Sequence, residues 1–376
     1  MKNNLAKTSS PFSVTPPRLN LLLPFSIALV FAFTAVPVDA DEGTVISVAS
    51  GADWTNALAR ISTDSGGTNT DYKVYILDIQ GEVSVPGVSS PSISGRYKTV
   101  RLAGSGTLAL SSSGSIFRIS TYQILIIDGP TLKGRTNNNA SLVYVNSSSI
   151  ELRNGTITGN SSRSDGGGVY VNGGSFDMSG GTITGNSSGT EGGGMYVRAG
   201  GFSISGGIIT GNSSGTEGGG MYVRAGGFDM SGGIITGNSA GTEGGGMAVS
   251  SGSAVMSGGT ISANSAAAGG GVLITITDDP GMSSNSKTFT KIGGTIYGDT
   301  DNIVGNGNAT DNTATATTGT NGNAVLVVIY HKDNREGAYY YYRNETLGDD
   351  ADGNISIKAE LLPAKSGETL NGWTKR

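Results

Sequence analysis

A segment 26 residues long is copied along the middle of this chain. Gly-Gly-Gly begins at Gly166, Gly192, Gly218 and Gly244, then at Gly269 after a step of 25. Ser-Gly-Gly begins at Ser179, Ser205, Ser231 and Ser257, and the pairs Asn160-Ser161, Asn186-Ser187, Asn212-Ser213, Asn238-Ser239 and Asn264-Ser265 keep the same step. A fixed period of this length demands stacked structural units, each too small to bury a core alone and each completed by its neighbours.

The unit at 192–217 reads GGGMYVRAGGFSISGGIITGNSSGTE. It contains three strand-like pieces, 195–198, 202–205 and 208–210, separated by Gly, Ser and Asn turns, and no apolar stripe of period 3.6 that a helix would need. Equivalent positions show which side chains face inward. Val169, Met195, Met221, Met247 and Val272 are apolar in every copy, as are Val171, Val197, Val223, Val249 and Ile274. The second piece supplies Phe176, Phe202, Phe228 and Ala254, then Met178, Ile204, Met230 and Met256; the third supplies Ile183, Ile209, Ile235 and Ile261. Residues two apart share one face of a strand. The fold class expected is all-β: a right-handed parallel β-helix solenoid of eight to ten coils, with like side chains stacked at ~4.8 Å and a length of about 40–50 Å. The turn asparagines Asn186, Asn212, Asn238 and Asn264 are expected to form a structural ladder, because a carboxamide both donates and accepts.

Around this block the chain divides as follows. Residues 1–40 read as a signal peptide: Lys2, Lys7 and Arg18 precede an uncharged apolar run at 21–36, and Val38-Asp39-Ala40 places small residues for cleavage. Residues 41–71 read as an N-terminal cap. There Trp54, Ala57, Leu58 and Ile61 fall at helical spacing, with Asp53 expected to cap the helix. The β-helix is expected over 72–297, most regular at 142–274, with a loop at 277–286 and Gly293-Gly294-Thr295-Ile296 echoing Gly258-Gly259-Thr260-Ile261. An Asn/Thr/Gly-rich linker at 298–322 leads to a strand-rich C-terminal cap at 323–376, with strands at 324–330, 338–342 and 355–357. The 54 residues after Gly322 (376 − 322) are too few for an outer-membrane barrel of even eight strands at ~9–11 residues each.

Composition narrows the chemistry. Cysteine is absent, which excludes disulfides, thiolate metal sites, cysteine nucleophiles and a lipid-anchoring cysteine. A net charge of −5 gives no electrostatic case for nucleic acid as partner. The five acids between Gly166 and Gly271 are Asp177, Glu191, Glu217, Asp229 and Glu243, accompanied by two arginines and no histidine or lysine. Carboxylates that cleave a polysaccharide must converge, with a base or a cation beside them. Asn69-Thr70-Asp71 and Asp278-Asp279 match fragments of the polygalacturonase pattern, but no Gly-His-Gly exists and His331 stands isolated. The expectation is therefore no catalytic residues, no cofactor and no metal site. Glu191, Glu217 and Glu243 fall in one column and read as a solvated turn position.

Tyr170, Tyr196 and Tyr222 alternate out of phase with the inward positions, and Arg198 and Arg224 follow two of them by two residues. An exposed Tyr–Arg strip is the candidate interaction face, since Tyr and Arg supply contact area and hydrogen bonds at recognition surfaces. Thr182 and Thr184 flank the inward Ile183 in a Thr-x-Thr pattern like that of ice-binding β-helices, but the pattern fails where Ile208 and Ile234 replace the first threonine.

GGGMYV followed by FDMSGGIITGN, within residues 218–238, resembles the repeats of bacterial, spirochaete-like surface proteins with a pectate-lyase-like β-helix. It is loosely similar to the GG-Ala-Ile and FxxN repeats of chlamydial polymorphic outer-membrane proteins. It departs from FxxN in carrying its asparagine in a separate Thr-Gly-Asn or Ala-Asn turn. The resemblance spans roughly 44–330 and implies an exported, non-enzymatic surface or secreted protein, adhesive toward a host or envelope partner. That partner, protein or glycan, is not specified, and peripheral envelope association is compatible. The alternative is a polysaccharide-binding or polysaccharide-cleaving β-helix, with a periplasmic location as the alternative to the cell surface.

Overall fold

The structure is a computed structural model. It describes residues 43–250 and 252–278, together with the stretches 288–291, 293–296, 313–314, 325–331, 338–341, 355–358 and 374–375. The expected signal segment 1–40, most of the expected linker 298–322 and all but the first two residues of the expected loop at 277–286 lie outside the described residues.

The described chain is a parallel β-solenoid of about eight turns with one helix. Each 26-residue unit makes one coil, and successive coils pair in register: Val169, Tyr170 and Val171 lie beside Met195, Tyr196 and Val197, and Phe176 beside Phe202. The third strand repeats this without a break, from Thr156–Thr158 through Thr182–Thr184, Ile208–Thr210 and Ile234–Thr236 to Thr260–Ser262. The first and second strands of some coils merge into one, as in Val169–Met178 and Met195–Ile204, with a register shift at the corner between them. A fourth short piece, the Ser-Ser or Ser-Ala pair after each turn asparagine, pairs separately, as Ser161–Ser162, Ser187–Ser188 and Ser213–Ser214 do. Two-residue pieces carry no hydrophobic alternation, so pattern reading passes over them.

The core consists of the expected ladders. Val171, Val197 and Val223 are buried, as are Phe176, Phe202 and Phe228 and the file Ile183, Ile209 and Ile235. The Phe rings stack at 5.2 and 5.5 Å between centroids. One continuous apolar cluster runs from Val48 to Ile296, because each coil closes the one before it.

At the start of the stack the helix Gly51–Thr63 turns Trp54, Ala57 and Ile61 onto the first coils. Its N-cap is Ser50 rather than Asp53. The Ser50 hydroxyl accepts from the Asp53 amide at 3.2 Å, while the Asp53 carboxylate accepts from the Ala49 amide and the Ser50 hydroxyl. The pattern is a reciprocal capping arrangement, with the acid inside the first turn, where it also meets the helix dipole favourably. Its other end is held by Lys98, a fully buried lysine whose Nζ donates to the carbonyls of Ile61, Asp64 and Ser94 at 2.6, 2.8 and 2.8 Å. Three ammonium protons meet three carbonyls, the condition for burying a charge.

Beyond Asp278 the strand Val325–His331 stacks in parallel on Val272–Asp278 as one more layer, and Thr295–Ile296 pairs with Thr260–Ser262 as the echo predicts. Ala338–Tyr341 and Ile355–Lys358 then pair antiparallel, with Val325–His331 and Thr288–Lys291 respectively, ending the parallel progression.

Candidate functional site

On the outer side of the first strand the tyrosines form the ladder that their spacing predicts. Ring centroids lie 5.2 Å apart for Tyr144–Tyr170, 5.0 Å for Tyr170–Tyr196 and 5.4 Å for Tyr196–Tyr222. The expected exposure is corrected, however. Tyr196 and Tyr222 are only 2% and 6% exposed, and Tyr170 is half-buried. With Ala248, Ala268 and Leu273 they make a second apolar cluster outside the main core. The rings stack face to face and pack with these apolar neighbours, and the Gly-Gly-Gly turn runs close beside their backbone. A Cβ on Gly218, whose φ is +66°, would lie 3.0 Å from the Tyr222 Cβ. Alternation tells inner from outer, but it does not tell whether an outer residue is roofed. Burial pushes the Tyr170 hydroxyl up to about 12 and raises those of Tyr196 and Tyr222 as well.

Arg198 and Arg224 are exposed as expected, on the corner after the first strand. Arg198 donates to the Asn172 carboxamide oxygen at 2.8 Å, and Asn172 donates to Asn146 at 3.0 Å. The Tyr196 hydroxyl beside it raises the pKa of the Arg224 guanidinium. The arginines thus rim a covered tyrosine ladder instead of sharing an open strip with it.

The glutamate column is present. Glu217 and Glu243 are register partners, and the amides of Gly192 and Gly218 donate to the Glu217 and Glu243 carbonyls. Burial, then the charges of Glu243 and Glu191, push Glu217 from 4.5 up to about 7. Glu191 is also raised, by burial and Asp165, with Arg224 opposing. The column is therefore half-desolvated and not a simple solvated turn. Among the described residues no three His, Asp or Glu side chains converge as metal ligands do.

The asparagine ladder is structural. Asn186, Asn212 and Asn238 are buried; Asn186 accepts from the Asn160 amide, Asn212 and Asn238 each accept from both the amide and the side chain of the asparagine before them, and all three donate to carbonyls, those of Ile157, Ile183 and Ile209. Of the polygalacturonase-like fragments, Asn69–Asp71 and Asp278 stand at opposite ends of the stack. The backbone of His331 lies in register with that of Asp278.

Two surface features escaped sequence reading. Tyr72, Tyr97 and Tyr122 form a splayed corner cluster, with centroids 5.6 and 5.2 Å apart and the Arg96 guanidinium 5.1 Å from the Tyr122 ring. Tyr97 and Tyr122 hold φ of 56° and 62°, a left-handed conformation costly for an aromatic residue. Their 25-residue spacing was the available signal. The second feature is an open groove of about 680 Å³ along the start of the third strands, between Gly129 and Ile234. Ile208 and Ile234, 39% and 40% exposed, stand on it.

Comparison with protein-family models, with curated proteins and with solved structures finds no match to this chain.

Proposed function

We propose that this protein is exported and acts, without catalysing a reaction, as an interaction protein of the cell surface or extracellular space, engaging a host or envelope partner through its outer faces. The observation that carries this reading is the division of labour within each coil. Inward positions are copied apolar ladders, whereas the outer faces carry different exposed groups: Arg198 and Arg224 on two neighbouring coils, the Tyr122–Arg96 corner on another, and the open groove across five. A solenoid tolerates change on such faces without disturbing its core, and repeated groups bind extended partners well.

The test is a binding screen of the purified full chain against immobilised extracellular-matrix proteins, bacterial envelope material and a polysaccharide panel, with product analysis of the polysaccharides. Retention on at least one surface, with no release of reducing ends or unsaturated sugars, is expected. Retention on none contradicts the interaction reading, and release of sugar ends contradicts the non-enzymatic one.

A further inference from the structure

The groove differs from every other outer feature of the solenoid in its chemistry. It crosses five coils, a run of about 19 Å at ~4.8 Å per step. Six of its eleven lining residues are glycines and none is charged. Its floor is bare backbone, since the turn passes so close to the preceding coil that a Cβ on Gly206 would sit 2.3 Å from the Ser179 carbonyl oxygen. Its wall is the file Thr156, Thr182, Ile208 and Ile234, in register without a bulge. The next outward file, Thr158, Thr184, Thr210 and Thr236, is uncharged as well. Charged side chains next to the groove in sequence are already paired, Asp128 with Arg101 and Arg153 with Glu151.

Three kinds of occupant can be compared. A peptide strand docks by adding to a free sheet edge, and here each strand of this face is already paired on both sides. A helix needs a deep apolar trough with several anchors, and this groove offers two isoleucines. A polyanion needs cations, and the groove has none. What remains is a chain that is straight, uncharged and evenly repeating, with hydroxyls for the threonines and backbone and C–H faces for the isoleucines.

We infer that the groove between Gly129 and Ile234 binds a neutral, linear polysaccharide lying along the stack of coils. This rests on the interaction reading above and names its partner's chemistry; it also moves the binding face from the Tyr–Arg strip to the third strands. Ile208 and Ile234 supply apolar contact with sugar rings. Thr156 and Thr182 supply hydroxyls, and the glycine floor lets the polymer reach the backbone.

Affinity electrophoresis of the full chain through gels containing neutral β-glucan, mannan, galactan or xylan, or the acidic polymers alginate and polygalacturonate, tests this. At least one neutral polymer is expected to retard the protein, and the acidic ones to leave it unretarded. The double variant Ile208→Lys, Ile234→Lys should lose at least about tenfold in apparent affinity, because it places unpaired charge against an uncharged ligand. Ile208→Ala with Ile234→Ala, a milder change at exposed positions, should weaken retardation while leaving the melting temperature unchanged. Val45→Ala, at an exposed position on the first strand and away from the groove, should leave it intact. Retardation by acidic polymers alone, or groove variants that bind a neutral polymer as the parent does, overturns the assignment. A chain that binds proteins or envelope material but no neutral polymer also overturns it and leaves the interaction reading standing; a chain that binds nothing overturns both.

Discussion

Asn212 illustrates how one residue serves two coils. Its carboxamide oxygen accepts from the amide and side chain of Asn186, and its Nδ2 donates to the Ile183 carbonyl at 2.9 Å. Removing it strands buried donors and an acceptor, each costing about 1–3 kcal/mol. Asn212→Ala is therefore expected to lower unfolding free energy by at least about 2 kcal/mol, measured by urea denaturation; a loss below experimental error would refute the ladder's role. Glu217 makes a pH-dependent contribution of opposite kind. Its folded pKa of about 7 lies above the ordinary 4.5, so the folded chain holds more protons than the unfolded one between those values. Stability contributed by this group falls as pH rises through that window and levels off above it. Glu217→Gln should melt above the parent at pH 8 and close to it at pH 5. Equal melting temperatures at pH 8 would mean that neither burial nor Glu191 and Glu243 act on this carboxyl.

At the level of the strand, the inward files carry stability and can be tested singly. Ile209 is 1% exposed between Ile183 and Ile235. Ile209→Asp places an unpaired carboxylate in the ladder and should abolish the cooperative melt, whereas Ile208→Asp, one residue away and outward, should change it little. Similar melting curves for the two would contradict the assignment of faces. These files were legible in the sequence because a copied unit aligns with itself: five versions of one strand separate the always-apolar positions from the rest. The site was less legible. Tyr196 and Tyr222 were correctly placed outside the main core, but the second apolar cluster that buries them is a tertiary feature on which alternation is silent. The helix cap went to Ser50 because a hydroxyl one turn earlier reaches the free amides while Asp53 completes the box. The groove arises from close approach of glycine turns in neighbouring coils, a property of no single unit.

Across the whole molecule, stacking converts a modest sequence motif into long, continuous faces. The helix Gly51–Thr63 shields the first coils, and antiparallel pairing ends the parallel series beyond Val325–His331. Between them lie covered tyrosines, half-desolvated glutamates, rim arginines and a neutral groove, each confined to its own file. The proposed function places the partner of these faces outside the cell, and location is the claim on which that proposal depends. The most direct measurement is protease shaving of intact cells that express the full chain, with lysed cells as control and an antibody to the coils as probe. The account predicts loss of the signal from intact cells. Full protection in intact cells, with digestion only after lysis, would contradict it.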